Sequence, residues 1–327
     1  VKAFGYLRAE RTEQALDAYA AHPGAQYLAG GTNLVDLMKL GVSGPSFLVD
    51  ISRLPLDGVE ETPEGGLRVG ATVRNSDLAV HPLVRTRYTA LSQTLLAGAS
   101  AQLRNAATTG GNLLQRTRCP YFQDTSKPCN KREPGTGCPA REGVHRDLAV
   151  LGHSAQCVAT HPSDMAVALA CLDAQVHLRG PEGERTVPVT DFHRLPGDRP
   201  EQDTVVLPGE LVTAVTLPPP SGSRSAYRKA RDRASYAFAL ASVAAALTVE
   251  DGVVRHASLA FGGLAHKPWR ARAAEEVLHG APATRETFTR AADAELAAAQ
   301  PLRDNGFKVP LARNLAVRVL TDLASRA

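Results

Sequence analysis

A chain of 327 residues, 43% hydrophobic and 21% charged, has ordinary globular composition and enough length for two or three hydrophobic cores. Its net charge of +4 arises from interleaved bases and acids and only 5% of its residues are aromatic, which argues against a nucleic-acid-binding surface. No window reaches the apolar length of a membrane span, and the first residues, VKAFGYLRAERTEQ, lack the basic start and apolar run of an export leader, so by its own sequence the chain is expected in the cytoplasm, without membrane insertion.

Taken in order, residues 12–21, TEQALDAYAA, read as a helix with Thr12 as its N-cap. AQYLAG reads as a short strand, and NLVDLMKLG as a helix that Gly41 closes. Between them lies GGTN, where a strand entering a helix through two glycines would place bare backbone N–H groups at a helix N-terminus, an arrangement suited to a phosphate. The alternative is a tight turn that needs glycine only for its dihedrals; the stretch has no P-loop lysine and is not GxGxxG. After SFLVDIS come shorter β-like pieces, LRVGATV and, further on, AQCVAT and AQVHLRG, with helical stretches such as RYTALSQTLLAGAS between them. A second glycine pair at Gly110–Asn112 again stands between an Ala/Thr stretch and LLQ, and two glycine approaches in one domain suit a ligand carrying two phosphates.

The five cysteines, Cys119, Cys129, Cys138, Cys157 and Cys171, are an odd set crowded into one third of the chain, unlike a disulfide framework. Cys171 lies in the apolar helical run SDMAVALACLDAQV and reads as core. The others lie among Pro, Gly, Asn and Lys, and CPYFQDTSKPCNKREPGTGC has almost no helix or strand periodicity, so a loop of this length needs something to hold it. Thiolates around a metal centre would do so, with Arg116, Arg118, Lys127, Lys131, Arg132, Arg141 and Arg146 offsetting their charge. The spacing is neither a zinc ribbon nor the short bacterial ferredoxin run, which leaves structural zinc and an iron–sulfur cluster on equal terms and unligated thiols as the alternative.

From about Gly180 the composition turns to PEGERTVPVTDFHRLPGDRPEQD, which reads as a domain boundary. Strands are expected in LVTAVTLP, AFALASVAAALTVE and VVRHASLAFGGL, followed by helices in ARAAEEVLHG, TRETFTRAADAELAAAQ and ARNLAVRVLTDLASRA. The expected organisation is α+β: residues 1–179 as one domain, with subdomains about 1–55 and 56–179 and a cysteine-rich insertion about 116–146, then residues 180–327 as an antiparallel sheet packed with helices.

Four stretches in series, YLAGGTNLVDLMKLGV, QLRNAATTGGNLLQ, HPSDMAVALACLDA and YRKARDRASYAFALASVAAAL, resemble the FAD-binding (medium) subunit of the xanthine dehydrogenase and molybdenum hydroxylase family, across nearly the whole chain. The cysteine-rich insertion after GGNLLQ is similar to that of the flavin subunit of bacterial periplasmic aldehyde oxidoreductase, in which RCPYF and PCNKR flank part of a [4Fe–4S] site. The resemblance implies that Ala29, Gly30, Gly31, Thr32, Asn33 and Leu34 form the first FAD loop, with backbone amides toward the pyrophosphate, and that Thr108, Thr109, Gly110, Gly111 and Asn112 form the second. The family often carries an aliphatic residue where Thr109 stands, which bears on its side chain and not on its backbone. Asp164 matches a position that holds a flavin hydroxyl or an adenine-side polar group, with a helix N-cap as the alternative. Leu195 and Lys229 match positions near the isoalloxazine, against core packing and a solvated charge respectively. Cys119, Cys129, Cys138 and Cys157 become the expected ligands of one [4Fe–4S] cluster, Cys157 being the most distant in sequence.

The same resemblance implies an oxidoreductase subunit inactive on substrate by itself, with FAD and a [4Fe–4S] cluster carrying the chemistry. A molybdopterin-binding large subunit would oxidise an aldehyde, a [2Fe–2S] small subunit would deliver electrons to the FAD, and an external acceptor would take them. The alternative within the family is the flavin subunit of a xanthine dehydrogenase or of a 4-hydroxybenzoyl-CoA reductase-like enzyme. Outside it stand a covalent flavin oxidase, which usually needs a linking His or Cys that neither glycine loop has, and a zinc-stabilised scaffold. The ten histidines are scattered without a partnered nucleophile, so no catalytic residue is expected on this chain. A partner with its own export signal would carry the folded chain to the periplasm.

Overall fold

The computed structural model describes residues 1–220 and 224–325. The chain starts with β1 (Gly5–Arg8), α1 (Thr12–Ala21), β2 (Ala25–Leu28), α2 (Leu34–Lys39) and β3 (Phe47–Asp50), a parallel sheet in the order β1-β3-β2. Parallel neighbours need a crossover, which the two helices supply. Ala15 and Ala18 of α1 pack with Val49, Ile51 and Leu54 as a small core. Thr12 opens α1 but does not cap it: Arg11 occupies that position and makes no side-chain cap. Gly41 does end α2, at φ +73°, a left-handed conformation that a side chain would strain.

The second layer contains β4 (Val59–Glu61), β5 (Leu67–Gly70), α3 (Asn75–Val80), α4 (Pro82–Arg87), α5 (Thr89–Ala97), α6 (Ala101–Ala106), α7 (Thr109–Leu113), α8 (Pro120–Gln123), α9 (Asp164–Cys171), β6 (Gln175–Gly180), β7 (Gly183–Pro188), α10 (Val189–Phe192) and β8 (Leu211–Leu217). Its strands form one antiparallel sheet ordered β4-β5-β8-β6-β7. The composition change at residue 180 therefore falls inside a sheet. β6 and β7 form a hairpin across it, and β8 returns between β5 and β6, so the break between sheet systems lies after Leu217. A Pro- and acid-rich stretch here makes an edge hairpin and a surface connection rather than a linker. AQCVAT forms no strand; Ala149 donates to Val158 O at 2.8 Å, but no ladder develops.

The last layer is the antiparallel sheet β12-β11-β10-β9, from β9 (Arg224–Ala230), β10 (Ala241–Glu250), β11 (Val253–Gly262) and β12 (Trp269–Arg270), with α11 (Arg272–Leu278), α12 (Arg285–Leu296) and α13 (Lys308–Ala324). The last two residues of the expected C-terminal helical stretch, 326–327, lie outside the described residues. Because β10 is covered on both faces, its sequence is a continuous apolar run. Ala244 and Ala246 join the core built on α9, while Val243, Ala245 and Leu247 join the core of α11–α13. Gly262 of β11 lets α9 come close: a Cβ there would stand 2.5 Å from Val167 Cγ2.

One buried cation joins α13 to the layer above. Lys308 is fully buried and its Nζ donates to Asp147 O (3.0 Å), Leu148 O (2.8 Å) and Gly263 O (2.5 Å). Lys308→Met would leave carbonyls of these segments without a donor, and a loss of about 3 kcal/mol in unfolding free energy is expected. Chemical denaturation of the variant beside the wild-type chain measures it.

Candidate functional site

A cleft of about 680 Å³ runs where the three layers meet. This is within the range of roughly 300–1,000 Å³ typical of cofactor sites. One wall is the β2–α2 turn. A Cβ on Gly30 would stand 1.9 Å from Ala106 O, so glycine is required for this turn to lie against the end of α6, and Gly31 takes φ +72°. Ala29 packs into the N-terminal core, Leu34 opens α2, and Thr32 and Asn33 border the cleft. Among the described residues, the backbone N–H groups of Gly31, Thr32 and Asn33 donate to no protein acceptor, which leaves three adjacent free donors, those of Thr32 and Asn33 at the cleft wall. The Asn33 side chain is engaged elsewhere, its Oδ1 accepting from Arg116 N at 3.0 Å.

The second glycine turn behaves differently. Thr108 caps α7, its Oγ accepting from Gly111 N at 3.2 Å. Thr109 N donates to Val73 O (3.0 Å) and Gly110 N to Ala71 O (2.8 Å), so these two amides, expected to face a ligand, are used inside the fold. Gly111 and Asn112 do border the cleft. Asn112 Oδ1 accepts from Ser163 Oγ (2.6 Å) and Gln115 Nε2 (2.7 Å), which ties this turn to α9.

Ser163, not Asp164, caps α9; its Oγ accepts from Ala166 N at 3.0 Å. Asp164, in the first turn, accepts from Tyr227 O–H (2.6 Å) and from Lys229 Nζ (2.7 Å). Lys229 is accordingly a buried partner of a carboxylate and not a solvated charge. Burial, then the neighbouring Asp164, pushes the Tyr227 phenol well above its ordinary value, so it stays a donor. Tyr227 carries no signal of its own in the sequence, although the period-2 alternation of a strand puts it on the face that carries Lys229. Leu195 stands outside the cleft, packed over Gly152 beside Trp269. Other cleft residues without a sequence signal include Asn75, Ala99 and Tyr236. The last two adopt φ of 52° and 51°, rare for residues with a side chain and frequent at functional sites. Among the described residues, Asn75 Oδ1 and His161 Nε2 are buried without a partner beside the cleft. Unpaired groups of this kind, together with the free amides, fit a polar cofactor.

Beside the cleft, the loop 116–146 folds back on itself, so that its Cys119, Cys129 and Cys138 meet Cys157 of the following segment around one small apolar void of about 10 Å³. None of the five cysteines forms a disulfide, and Cys171 is buried in the core at a distance, near Ser258. Burial pushes the Cys119 thiol up to about 12 and the Cys157 thiol to about 11, with amides of Phe122 and Tyr121 opposing it at Cys119 and Lys131 opposing it at Cys157. Among the described residues no three His, Cys, Asp or Glu side chains are grouped to hold a single metal ion. Cys119 borders both the void and the cleft.

Most of the loop's basic residues tie the loop to itself or to its surroundings. Arg132 donates to Tyr121 O (2.6 Å) and Phe122 O (2.7 Å), Arg141 to Ser154 O (2.9 Å), and Arg146 to both oxygens of Asp232. Asp203 receives Arg116 at 2.7 Å and the buried Lys131, with His266 Nε2 3.6 Å away. Burial alone would push the Asp203 carboxyl up, but Lys131, Arg116 and His266 together hold it well below the usual carboxylate range.

Asp203→Asn would strand Lys131, whose side chain is 1% exposed. A loss of about 3–5 kcal/mol is expected at neutral pH. Since the folded-state carboxyl ionises below its unfolded value of about 3.9, this stabilisation is complete above that pH and fades as pH falls through the folded value. Denaturation of wild type and variant across pH should show a constant gap near neutrality that closes in acid; a gap independent of pH would contradict it.

Compared with known proteins, residues 2–220 match the family described as FAD binding domain in molybdopterin dehydrogenase, and residues 225–323 the family described as CO dehydrogenase flavoprotein C-terminal domain. The chain is 53% identical to the aldehyde oxidoreductase FAD-binding subunit PaoB of Escherichia coli, with 100% of both chains covered. It is 28% identical to the glyceraldehyde dehydrogenase medium chain of Sulfolobus acidocaldarius, over 85% of this chain and 81% of that one. Among solved structures, a carbon monoxide dehydrogenase from Hydrogenophaga pseudoflava matches with a TM-score of 0.79 at 26% identity, covering 100% of this chain and 99% of that one.

Proposed function

The chain belongs to the family of FAD-binding subunits of molybdenum hydroxylases, and on that premise we propose that it is the flavin and [4Fe–4S] electron-transfer subunit of a molybdenum-dependent aldehyde oxidoreductase. It would take electrons from a [2Fe–2S] small subunit, itself supplied by a molybdopterin-binding large subunit, and pass them to an external acceptor. The observation that carries this reading is Cys119, shared by the wall of the cleft and the void on which four cysteines converge. Two redox groups held on either side of one residue are neighbours. The aldehyde class is favoured over the xanthine class by the 53% identity to an aldehyde oxidoreductase subunit, against 24% to a putative xanthine dehydrogenase subunit.

When bound, FAD and the cluster supply the redox chemistry, and the chain supplies binding, orientation and electrostatics. The free amides of Gly31, Thr32 and Asn33 would bind phosphate oxygens. Gly111 would keep the second turn open to close approach, since a Cβ there meets only Thr108 Oγ. The Asp164–Tyr227–Lys229 group is fixed by its own hydrogen bonds and would present rigid polar atoms to the flavin. Cys119, Cys129, Cys138 and Cys157 would hold the cluster; a donor set of four sulfurs with no carboxylate or imidazole suits iron–sulfur ligation.

The purified chain should show a flavin absorption with a broad shoulder in the iron–sulfur region. Serine at any of the four ligand positions should bring bound iron near background, whereas Cys171→Ser should retain it, by iron assay. Iron kept in Cys157→Ser would move the fourth ligand elsewhere. Acid precipitation should release the flavin into the supernatant, since no His or Cys lies in either glycine turn to attach it.

The isolated chain should also pass electrons from a reduced dye to an artificial acceptor yet oxidise no aldehyde, and aldehyde oxidation should require co-expression with molybdenum and [2Fe–2S] subunits. Aldehyde turnover by this polypeptide alone would refute the assignment.

A further inference from the structure

Of the arginines in loop 116–146, Arg118 is the one that borders the cleft. Its guanidinium stands over the Phe238 ring, 5.2 Å from the centroid, and donates to Arg116 O. Among the described residues no carboxylate comes within ion-pair distance of it, in contrast to Arg116 and Lys131, which share Asp203, and Arg146, which has Asp232. It is half-buried between the cleft and the Phe238 ring. A desolvated cation without a counter-ion is costly unless a ligand provides one.

Of the other cleft cations, one is paired with a carboxylate and the other two, like Arg118, meet backbone carbonyls, Arg233 being exposed. Lys229 belongs to Asp164, Arg104 donates to Gly98 O (2.8 Å), and Arg233 donates to Tyr236 O (3.0 Å). Asp36, which also borders the cleft, sits in the first turn of α2, just past the free amides of Gly31–Asn33. An anion resting on those amides would meet Arg118.

We propose that Arg118 is a cofactor-binding residue whose guanidinium pairs with the diphosphate of FAD, opposite the amides of the first glycine turn. This rests on the flavin reading above. Stacking on Phe238 orients the guanidinium plane, and its fork can address two phosphate oxygens at once, which a lysine cannot. The insertion thereby contributes to the flavin site as well as to the cysteine site, with Arg118 in the cleft and Cys119 bordering both.

The test uses the full chain stripped of flavin and titrated with FAD, with ADP and adenosine as competitors. Arg118→Met should weaken FAD and ADP by roughly ten- to a hundredfold and leave adenosine unchanged, with iron content intact. Arg118→Lys should recover part of the loss. Wild-type affinity for FAD in Arg118→Met, or loss of iron with FAD binding retained, would overturn the assignment. Equal loss for adenosine and ADP would do so as well, since it would mean a disturbed fold rather than a lost phosphate contact. A wild-type chain that binds no FAD would remove the flavin reading, and Arg118 with it.

Discussion

The cysteine loop is long, polar and almost without secondary structure, and one carboxylate makes it a defined object. Asp203 receives Arg116 from the loop's start and Lys131 from its middle, and lies beside His266 from the C-terminal layer. Lys131 also donates to Pro200 O at 2.7 Å, so the connection after α10 is bound into the same group. Buried charges of this kind are tolerated only when paired and hydrogen-bonded. That requirement gives the loop one arrangement, and in it the four cysteines converge.

The cleft exists because three sheet systems meet without a layer between them. The parallel sheet contributes the β2–α2 turn, the five-stranded sheet contributes α5–α7 and α9, and the last sheet contributes β9 and the turn after it. Small residues let these walls come close enough. Gly30 lies on the end of α6, and Gly262 receives Val167 of α9. Across the seam the polar contacts are between layers: Asp164 of α9 with Tyr227 and Lys229 of β9, and Asn33 with the backbone of Arg116. A cofactor there would touch every layer.

Much of the secondary structure is legible in the sequence because periodicity and punctuation are local. The α1 span, the closure of α2 by Gly41, the apolar run of β10 and the C-terminal helices follow from spacing of apolar residues and from glycine conformation. Cys171 in a core helix follows the same way. Local composition misleads where a distant partner decides. The segment after Gly180 has linker composition but is an edge hairpin, because β8 returns to cover β6. AQCVAT has strand composition but finds no neighbour to pair with.

For the site, the sequence by itself determined the inventory: two glycine turns, three cysteines in one loop with a fourth soon after it, an acid before an apolar helix and a lysine on a strand. These are properties of residue type and order, and they sufficed for the family resemblance. Only the tertiary structure decided which donors are free. Thr109 and Gly110 spend their amides on Val73 and Ala71, Leu195 turns to Trp269, and among the described residues the Gly31–Asn33 amides meet no acceptor and Arg118 enters the cleft without a carboxylate. Hydrogen-bond satisfaction is a property of pairs brought together across tens or hundreds of residues, and a linear sequence names the members of each pair without saying which pairs form.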